Sequence, residues 1–322
     1  MDTKTQKDVE IKLPYRLLPF MRYRKFGYIS SILITIFCLF TIFTKGFNWG
    51  LDFTGGTVIE TNFSQPADLG KVRELLEENG YPSATVQTFG SQKDVMIRLP
   101  ASAGDMNVGT TVMNLIHQKL DANANIQSIE FVGPNVGEEL TQGAIYATLA
   151  TLAMLLIYVG LRFEWRLAAG AVIALFHDVI VTIGVFSLLQ IEIDLTFVAA
   201  ILSVVGYSLN DSIVVFDRVR ENFPKVRRAE SAEIVDISLS QTLSRTLMTS
   251  ITTLVVVIAL YVLGGPTLHS FSLALLIGIG FGTYSTIYIA VGIALDLGLK
   301  REHMSQPVVE KEGADQQSLV DY

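Results

Sequence analysis

The sequence predicts an α-helical polytopic membrane protein with six transmembrane helices and one α+β domain outside the membrane. Half of its 322 residues are apolar or aromatic, only 17% are charged, and the mean hydropathy is +0.43. A soluble domain averages about 25% charged residues, so part of this apolar surface must face lipid. The excess of acidic over basic residues, 31 against 24, argues against a nucleic-acid-binding protein.

Six charge-poor windows are long enough to cross a bilayer. The hydrocarbon core is about 30 Å thick, which an α-helix spans with about 20 residues. We predict membrane helices at 26–44, 140–161, 167–191, 195–217, 239–263 and 268–298. The last two are separated by Gly264, Gly265 and Pro266, which break a helix. No cleavage pattern follows the first window, so we expect a retained anchor.

The distribution of Lys and Arg predicts the orientation. Three segments are rich in these residues: 1–25, 162–166 and 218–245. The short turns at 190–194 and 264–267 contain none. We therefore expect both termini to be cytoplasmic and residues 45–139 to be extracytoplasmic. The C-terminal tail, residues 300–322, is polar and acidic, and we expect it to be disordered.

Residues 45–139 have the pattern of one small globular domain with linkers. Alternating and helical periodicities predict, in order, a strand at 57–63, a helix at 66–80, strands at 85–89 and 95–99, a helix at 108–120 and a strand at 126–132. This βαββαβ order is the split-βαβ, ferredoxin-like arrangement, with two helices on one face of an antiparallel sheet. We find no metal-ligand pattern in it and expect no cofactor, no metal and no enzymatic site.

Charged residues inside the predicted membrane helices are the first candidates for function, because each costs at least about 2.5–3.5 kcal/mol near the bilayer centre. Asp211 lies 17 residues from Asp194, or about 25 Å below the outer face. Arg245 lies 18 residues from Leu263, or about 27 Å below it. At matching depths the carboxylate and the guanidinium can form a pair that loads and releases a cation.

A static salt bridge or a wet cytoplasmic rim would also explain Asp211 and Arg245. The small and hydroxylic neighbours favour the functional interpretation, because such side chains permit close helix contact and hydrate an ion path. The candidate polar neighbours are Ser208, Asn210 and Thr246.

Two further motifs lie within the membrane helices. His177 and Asp178 are near the middle of the third helix, where they form either a second relay or a hydrogen-bonded clamp between helices. Gly278 and Gly282 have the G-x-x-x-G spacing that allows two helices to pack closely.

Three separated motifs resemble the SecF family of protein-export membrane subunits, which is related to the resistance-nodulation-division transporters. They are the glycine-rich segment 50–56, the segment 207–218 on the fourth helix, and residues 244–246 on the fifth. The similarity covers nearly the whole chain. In this family Asp211 and Arg245 fall on positions used for cation movement, and the segment with Asp52, Gly55 and Gly56 is expected to transmit helix motion to the extracytoplasmic domain.

The resemblance implies a bacterial inner-membrane protein with a periplasmic domain. Its implied partners are SecD, the SecYEG channel, YajC, the translocating preprotein and membrane lipid. The complex would promote export with the proton or sodium gradient, and the family's other intramembrane aspartate lies in SecD.

Three other functions fit parts of the sequence. A small-molecule or lipid efflux transporter would need a large apolar cleft outside the membrane. An intramembrane aspartyl protease would use Asp178 and Asp211 as a dyad, although their predicted depths differ by about 7 Å. A passive scaffold would only hold SecD.

Overall fold

The computed structural model describes residues 17–88, 91–100, 107–226, 229–300 and 302. Residues 1–16, 301 and 303–322 of the predicted tails lie outside the described residues, as do Phe89 and Gly90 of the predicted hairpin. In chain order the elements are α1 (Arg24–Lys45), β1 (Asn48–Trp49), α2 (Leu51–Thr54), β2 (Gly56–Asn62), α3 (Leu69–Glu78), β3 (Thr85–Thr88), β4 (Asp94–Leu99), α4 (Val108–Lys119), β5 (Asn125–Val132), α5 (Pro134–Arg162), α6 (Trp165–Leu189), β6 (Glu192–Ile193), α7 (Leu195–Lys225), α8 (Ser231–Leu263), α9 (Gly265–Ser285), a π-helical turn (Thr286–Ala290) and α10 (Val291–Asp296).

Among the described residues, six helices are long and apolar enough to cross a membrane, as the sequence predicts. The sixth consists of α9, the π-helical turn and α10. Two helices extend well beyond their predicted windows, α7 to Lys225 and α8 from Ser231. A charged residue ends the apolar window from which a membrane helix is predicted, but the helix itself can continue beyond that residue. Val219 and Phe223 on α7 share one buried cluster with Ile234 on α8, and this packing supports the extra turns.

The βαββαβ domain is built on a four-stranded antiparallel sheet with the strand order β3-β4-β2-β5. Ile59 on the central strand β2 lies opposite Ile97 on β4 and Ile129 on β5. The sheet shares one buried core with α3 and α4, which includes Ile59, Leu76 and Ile116. The strand order and the two helices in this core agree with the split-βαβ pattern.

The first helix of this domain begins later than the sequence predicts. We expected Pro66 to open it, but α3 starts at Leu69. The reason is the side chain of Asp68, whose Oδ1 accepts hydrogen bonds from the backbone N–H groups of Gly70 and Lys71 at 3.0 and 3.3 Å. Asp68 is therefore the N-cap, a position that Asp favours over Pro.

Two glycines bring α9 into direct contact with α7. A Cβ atom at Gly278 would lie 2.2 Å from Cγ2 of Val204, so no larger residue fits without moving a helix. A Cβ at Gly282 would lie 3.3 Å from Cβ of Ser208 and 3.5 Å from Oδ2 of Asp178. The G-x-x-x-G spacing thus has the packing role that the sequence indicates.

The π-helical turn lies against α6 at a third close approach. A Cβ at Gly170 would lie 2.1 Å from the carbonyl oxygen of Ala290, the last residue of the turn. Single π-helical turns within α-helices are rare and are often found at functional sites. The residues that precede and begin this turn, Ser285 and Thr286, are fully buried.

We expect Gly278→Ala to destabilise the helix bundle by about 1–3 kcal/mol, because the added methyl group overpacks the contact with Val204. Gly280→Ala is the matched control, since a Cβ there meets no atom within 4 Å. Thermal unfolding of the full chain in detergent measures both variants. Equal melting temperatures would show that α7 and α9 do not pack at Gly278.

Candidate functional site

Asp178 is the centre of a buried hydrogen-bond network that joins three helices. Its side chain is 1% exposed. Oδ2 accepts hydrogen bonds from the hydroxyl groups of Ser208 on α7 at 2.7 Å and of Ser285 on α9 at 2.8 Å. Oδ1 lies 3.0 Å from Nδ1 of His177. A carboxylate with three polar partners from three helices stabilises their mutual packing.

His177 completes this network from the same helix as Asp178. Its ring lies at an edge to Phe281 on α9, with 6.4 Å between the ring centroids. Its second ring nitrogen, Nε2, is buried and has no hydrogen-bond partner. The contacts of Asp178 are those of the clamp interpretation, and the relay interpretation of the His177–Asp178 pair remains a hypothesis.

Asp211 has the opposite environment to Asp178, although both are buried. Its side chain is 2% exposed, and its Oδ2 has no hydrogen-bond partner among the residues that the structure describes. The hydroxyl group of Tyr207, one turn earlier on α7, is also buried and unpartnered. Buried polar atoms are normally paired, so an unpaired carboxylate oxygen requires an explanation, such as a bound ion or water.

Arg245 does not form an ion pair with Asp211 in this structure. Within the described part of the chain, no ion pair within 4.0 Å joins these two residues, and Arg245 is exposed. The guanidinium is nevertheless close enough to interact electrostatically with the Asp211 carboxylate. The predicted ion pair is thus replaced by a longer-range attraction, with Arg245 at an exposed position of α8.

The predicted polar neighbours have three different environments. The Ser208 hydroxyl donates a hydrogen bond to Asp178 rather than to Asp211. Asn210 is exposed. Thr246, next to Arg245 on α8, is buried, and its hydroxyl group has no hydrogen-bond partner. Helix periodicity explains the differences, because consecutive residues on a helix face different directions.

The segment with Asp52, Gly55 and Gly56 connects the βαββαβ domain to the start of α7. Oδ2 of Asp52 accepts a hydrogen bond from the backbone N–H of Leu195 at 2.8 Å. Gly55 and Gly56 have φ values of +64° and +127°, which side-chain-bearing residues rarely adopt. The two glycines allow the chain to turn from α2 into β2 directly above this contact.

Sequence analysis did not identify Ser285, which contributes one of the three contacts to Asp178. It also missed the contact between the hydroxyl groups of Ser212 on α7 and Thr286, whose oxygens are 3.2 Å apart. Ser285 and Thr286 are adjacent hydroxylic residues in an otherwise apolar window, and this pattern could have indicated contacts with other helices.

Two family descriptions match the chain. "Protein export membrane protein SecD/SecF, C-terminal" matches residues 112–300, and "SecD/SecF GG Motif" matches residues 40–67. The first match covers more than half of the chain and includes the environments of Asp178, Asp211 and Arg245. The chain belongs to the SecF family.

Relatives support the same assignment. Protein translocase subunit SecF of Haemophilus influenzae is 67% identical over 302 residues, which are 94% of this chain and 93% of that protein. The subunit of the same name from Escherichia coli O157:H7 is 52% identical over 308 residues, with 95% of each chain covered. Membership of the SecF family and six apolar helices identify a multi-pass membrane protein.

A crystal structure of SecDF from Thermus thermophilus, described as a translocon-associated membrane protein, matches with a TM-score of 0.79 and 36% identity. The match covers 88% of this chain but only 39% of the SecDF chain. A SecDF structure in a "Super-membrane-facing form" matches with a TM-score of 0.64 at the same identity and coverage.

We expect Asp178→Asn and Asp211→Asn to have different effects on stability. The first replacement removes charge-assisted hydrogen bonds, so it should lower the free energy of unfolding by about 1–3 kcal/mol. The second removes the charge of a carboxylate whose Oδ2 is unpartnered, so stability should stay the same or rise. Melting temperatures of the two variants in detergent test this, and an equal loss in both would contradict the assignment of Asp178 as the clamp.

Proposed function

We propose that this chain is the SecF subunit of a SecDF-type complex that promotes protein translocation through SecYEG by coupling to a proton or sodium gradient. The observation that carries the proposal is Asp211, a buried carboxylate with an unpartnered oxygen in the middle of the family-specific segment of α7. An intramembrane carboxylate of this kind is a candidate cation site.

The coupling step is a change of charge at Asp211. When a proton or a sodium ion occupies the carboxylate, the attraction to Arg245 disappears, and the arginine is free to move away. A charge that crosses a membrane potential of 100 mV gains about 2.3 kcal/mol, which is enough to shift a two-state packing equilibrium. The unpartnered hydroxyl groups of Tyr207 and Thr246 are available to hydrate the ion path.

The movement reaches the βαββαβ domain through the Asp52 segment. Because Asp52 binds the first N–H group of α7, a displacement of this helix pulls on the strand that follows Gly56. Asp211 and Leu195 belong to one continuous helix, so the coupling needs no other element.

The proposed partners are those that the family resemblance implies. SecD would supply the remaining membrane helices and the second intramembrane aspartate, and SecYEG, YajC and the translocating preprotein would bind the assembled complex. The match to only 39% of the SecDF chain supports a second subunit that completes the complex. The largely exposed apolar surfaces of α5 and α8 support it as well. We place the complex in the bacterial inner membrane, with both termini in the cytoplasm and the βαββαβ domain in the periplasm.

The protease alternative loses its basis in the arrangement of the carboxylates. An aspartyl protease requires two carboxyl groups that share a proton. Both oxygens of Asp178 are instead directed to Ser208, Ser285 and His177.

We expect Asp211→Asn to abolish gradient-driven cation flux and gradient-dependent export in proteoliposomes with SecDF and SecYEG. The amide cannot take up and release a proton, and it binds sodium poorly because it carries no charge. Imposing a proton gradient and a sodium gradient separately identifies the cation. Glu221→Gln is the matched control on the same helix, because Glu221 is exposed and forms ion pairs with the surface residues Arg218 and Lys225.

Wild-type flux in the Asp211→Asn complex would refute the role of this carboxylate. Wild-type export in a complex with both Asp211→Asn and Arg245→Gln would leave the chain with a scaffold function.

A further inference from the structure

Arg98 connects the βαββαβ domain to the loop between α6 and α7. It lies on β4, and its guanidinium forms an ion pair with the carboxylate of Glu192 on β6. Its Nη1 also donates a hydrogen bond to the carbonyl oxygen of Trp49 at 2.7 Å. The two side chains are only 17% and 24% exposed, so the pair is largely shielded from water.

Glu192 is bound from three further directions. Its Oε1 accepts a hydrogen bond from the backbone N–H of Leu51 at 3.3 Å, and its backbone carbonyl accepts one from the hydroxyl group of Ser270 on α9 at 3.1 Å. Its strand, β6, pairs in parallel with β1. Glu192 is therefore the point at which the domain, the segment that leads into it and two membrane helices meet.

The backbone at Gly50 lies close to Glu192 and Ile193. A Cβ atom at Gly50 would lie 2.8 Å from the carbonyl oxygen of Ile193 and 3.0 Å from Oε1 of Glu192. The backbone N–H of Gly50 donates to the same Ile193 oxygen at 2.8 Å. The Glu192 side chain therefore lies between the Gly50–Leu51 backbone and Arg98 on β4.

The electrostatic environment makes Arg98 the essential partner. Burial raises the pKa of the Glu192 carboxyl group, whereas the Arg98 guanidinium opposes that rise. Burial also raises the pKa of Glu60 on β2, as do the nearby charges of Glu130 and Glu192. Arg98 is thus the cation that faces a group of acidic side chains. In the described ranges, Glu192 has no ion pair except the one with Arg98.

We propose that Arg98 and Glu192 are positioning residues that hold the βαββαβ domain in one orientation relative to α7. The inference rests on the proposed function, because the orientation matters only if helix movements are passed to the domain. The hydrogen bond of Asp52 to Leu195 transmits the movement of α7. The ion pair keeps the sheet from rotating relative to this contact. Without the pair, a movement of α7 would be absorbed by rotation of the domain. The two SecDF structures match this chain with unequal TM-scores, so they differ in the parts to which it corresponds.

The test exchanges the charges of Arg98 and Glu192 and measures the distance between the βαββαβ domain and α6. Spin labels are placed on cysteines that replace Glu77 on α3 and Leu189 at the end of α6, both of which are exposed, while the native Cys38 is buried. The full chain in its SecDF complex should give one narrow distance distribution. Arg98→Glu or Glu192→Arg should each increase the population outside this distribution about tenfold or more, since each places two like charges together where water screens them poorly.

The double variant with both replacements should restore the narrow distribution and at least half of the export rate. A purely structural role of either residue would not be rescued in this way. Lys71→Glu is the control, because it makes the same charge change on α3 at a highly exposed pair with Asp68. Glu192→Gln keeps the acceptor for Leu51 and the side-chain shape, so it tests the charge alone if the reversals prevent folding, and it should broaden the distribution.

Unchanged distributions in all single variants, or no rescue in the double variant, would overturn the inference. The distance results are independent of Asp211, because they are measured without a gradient. Loss of flux in Asp211→Asn with no effect of Arg98→Glu on distance or export would leave the proposed function intact and refute only the positioning pair.

Discussion

The structure depends on how a buried carboxylate is satisfied away from water. Asp178 receives contacts from Ser208, Ser285 and His177, and in this way it fixes α6, α7 and α9 against one another. Close packing at Gly278 and Gly282 brings α9 near enough for these bonds to form. These contacts stabilise the packing of the three helices. A second carboxylate on α7, that of Asp211, remains unsatisfied within this packing.

The two carboxylates differ in how their oxygens are satisfied. Both oxygens of Asp178 have polar partners, which contributes to the fold, whereas a buried oxygen without a partner costs free energy. Asp211 lies three residues after Ser208 on α7, so one helix carries both the stabilising contact and the costly one. The packing of this helix thereby accommodates an unsatisfied carboxylate.

Sequence reasoning predicted the six helices, the order of the βαββαβ domain and the intramembrane charges, because hydrophobic periodicity and charge are local properties. It could not predict that Ser208 binds Asp178 instead of Asp211, since the direction of a hydroxyl group depends on the neighbouring helices. Nor could it find the pair of Arg98 and Glu192, which are distant in sequence and carry no motif. The helix α3 starts late because Asp68 is its N-cap. The sequence pattern had instead predicted that the helix begins at Pro66.

The π-helical turn at Thr286–Ala290 has a consequence for alignments of this family. Such a turn holds one more residue than an α-helical turn, and each residue of an α-helix advances the side-chain direction by about 100°. The apolar and polar faces of α10 are therefore out of phase with those of α9. A relative that lacks the bulge should show a single-residue gap here, and a helical wheel drawn across Thr286 would assign lipid-facing and interior positions wrongly for every residue that follows.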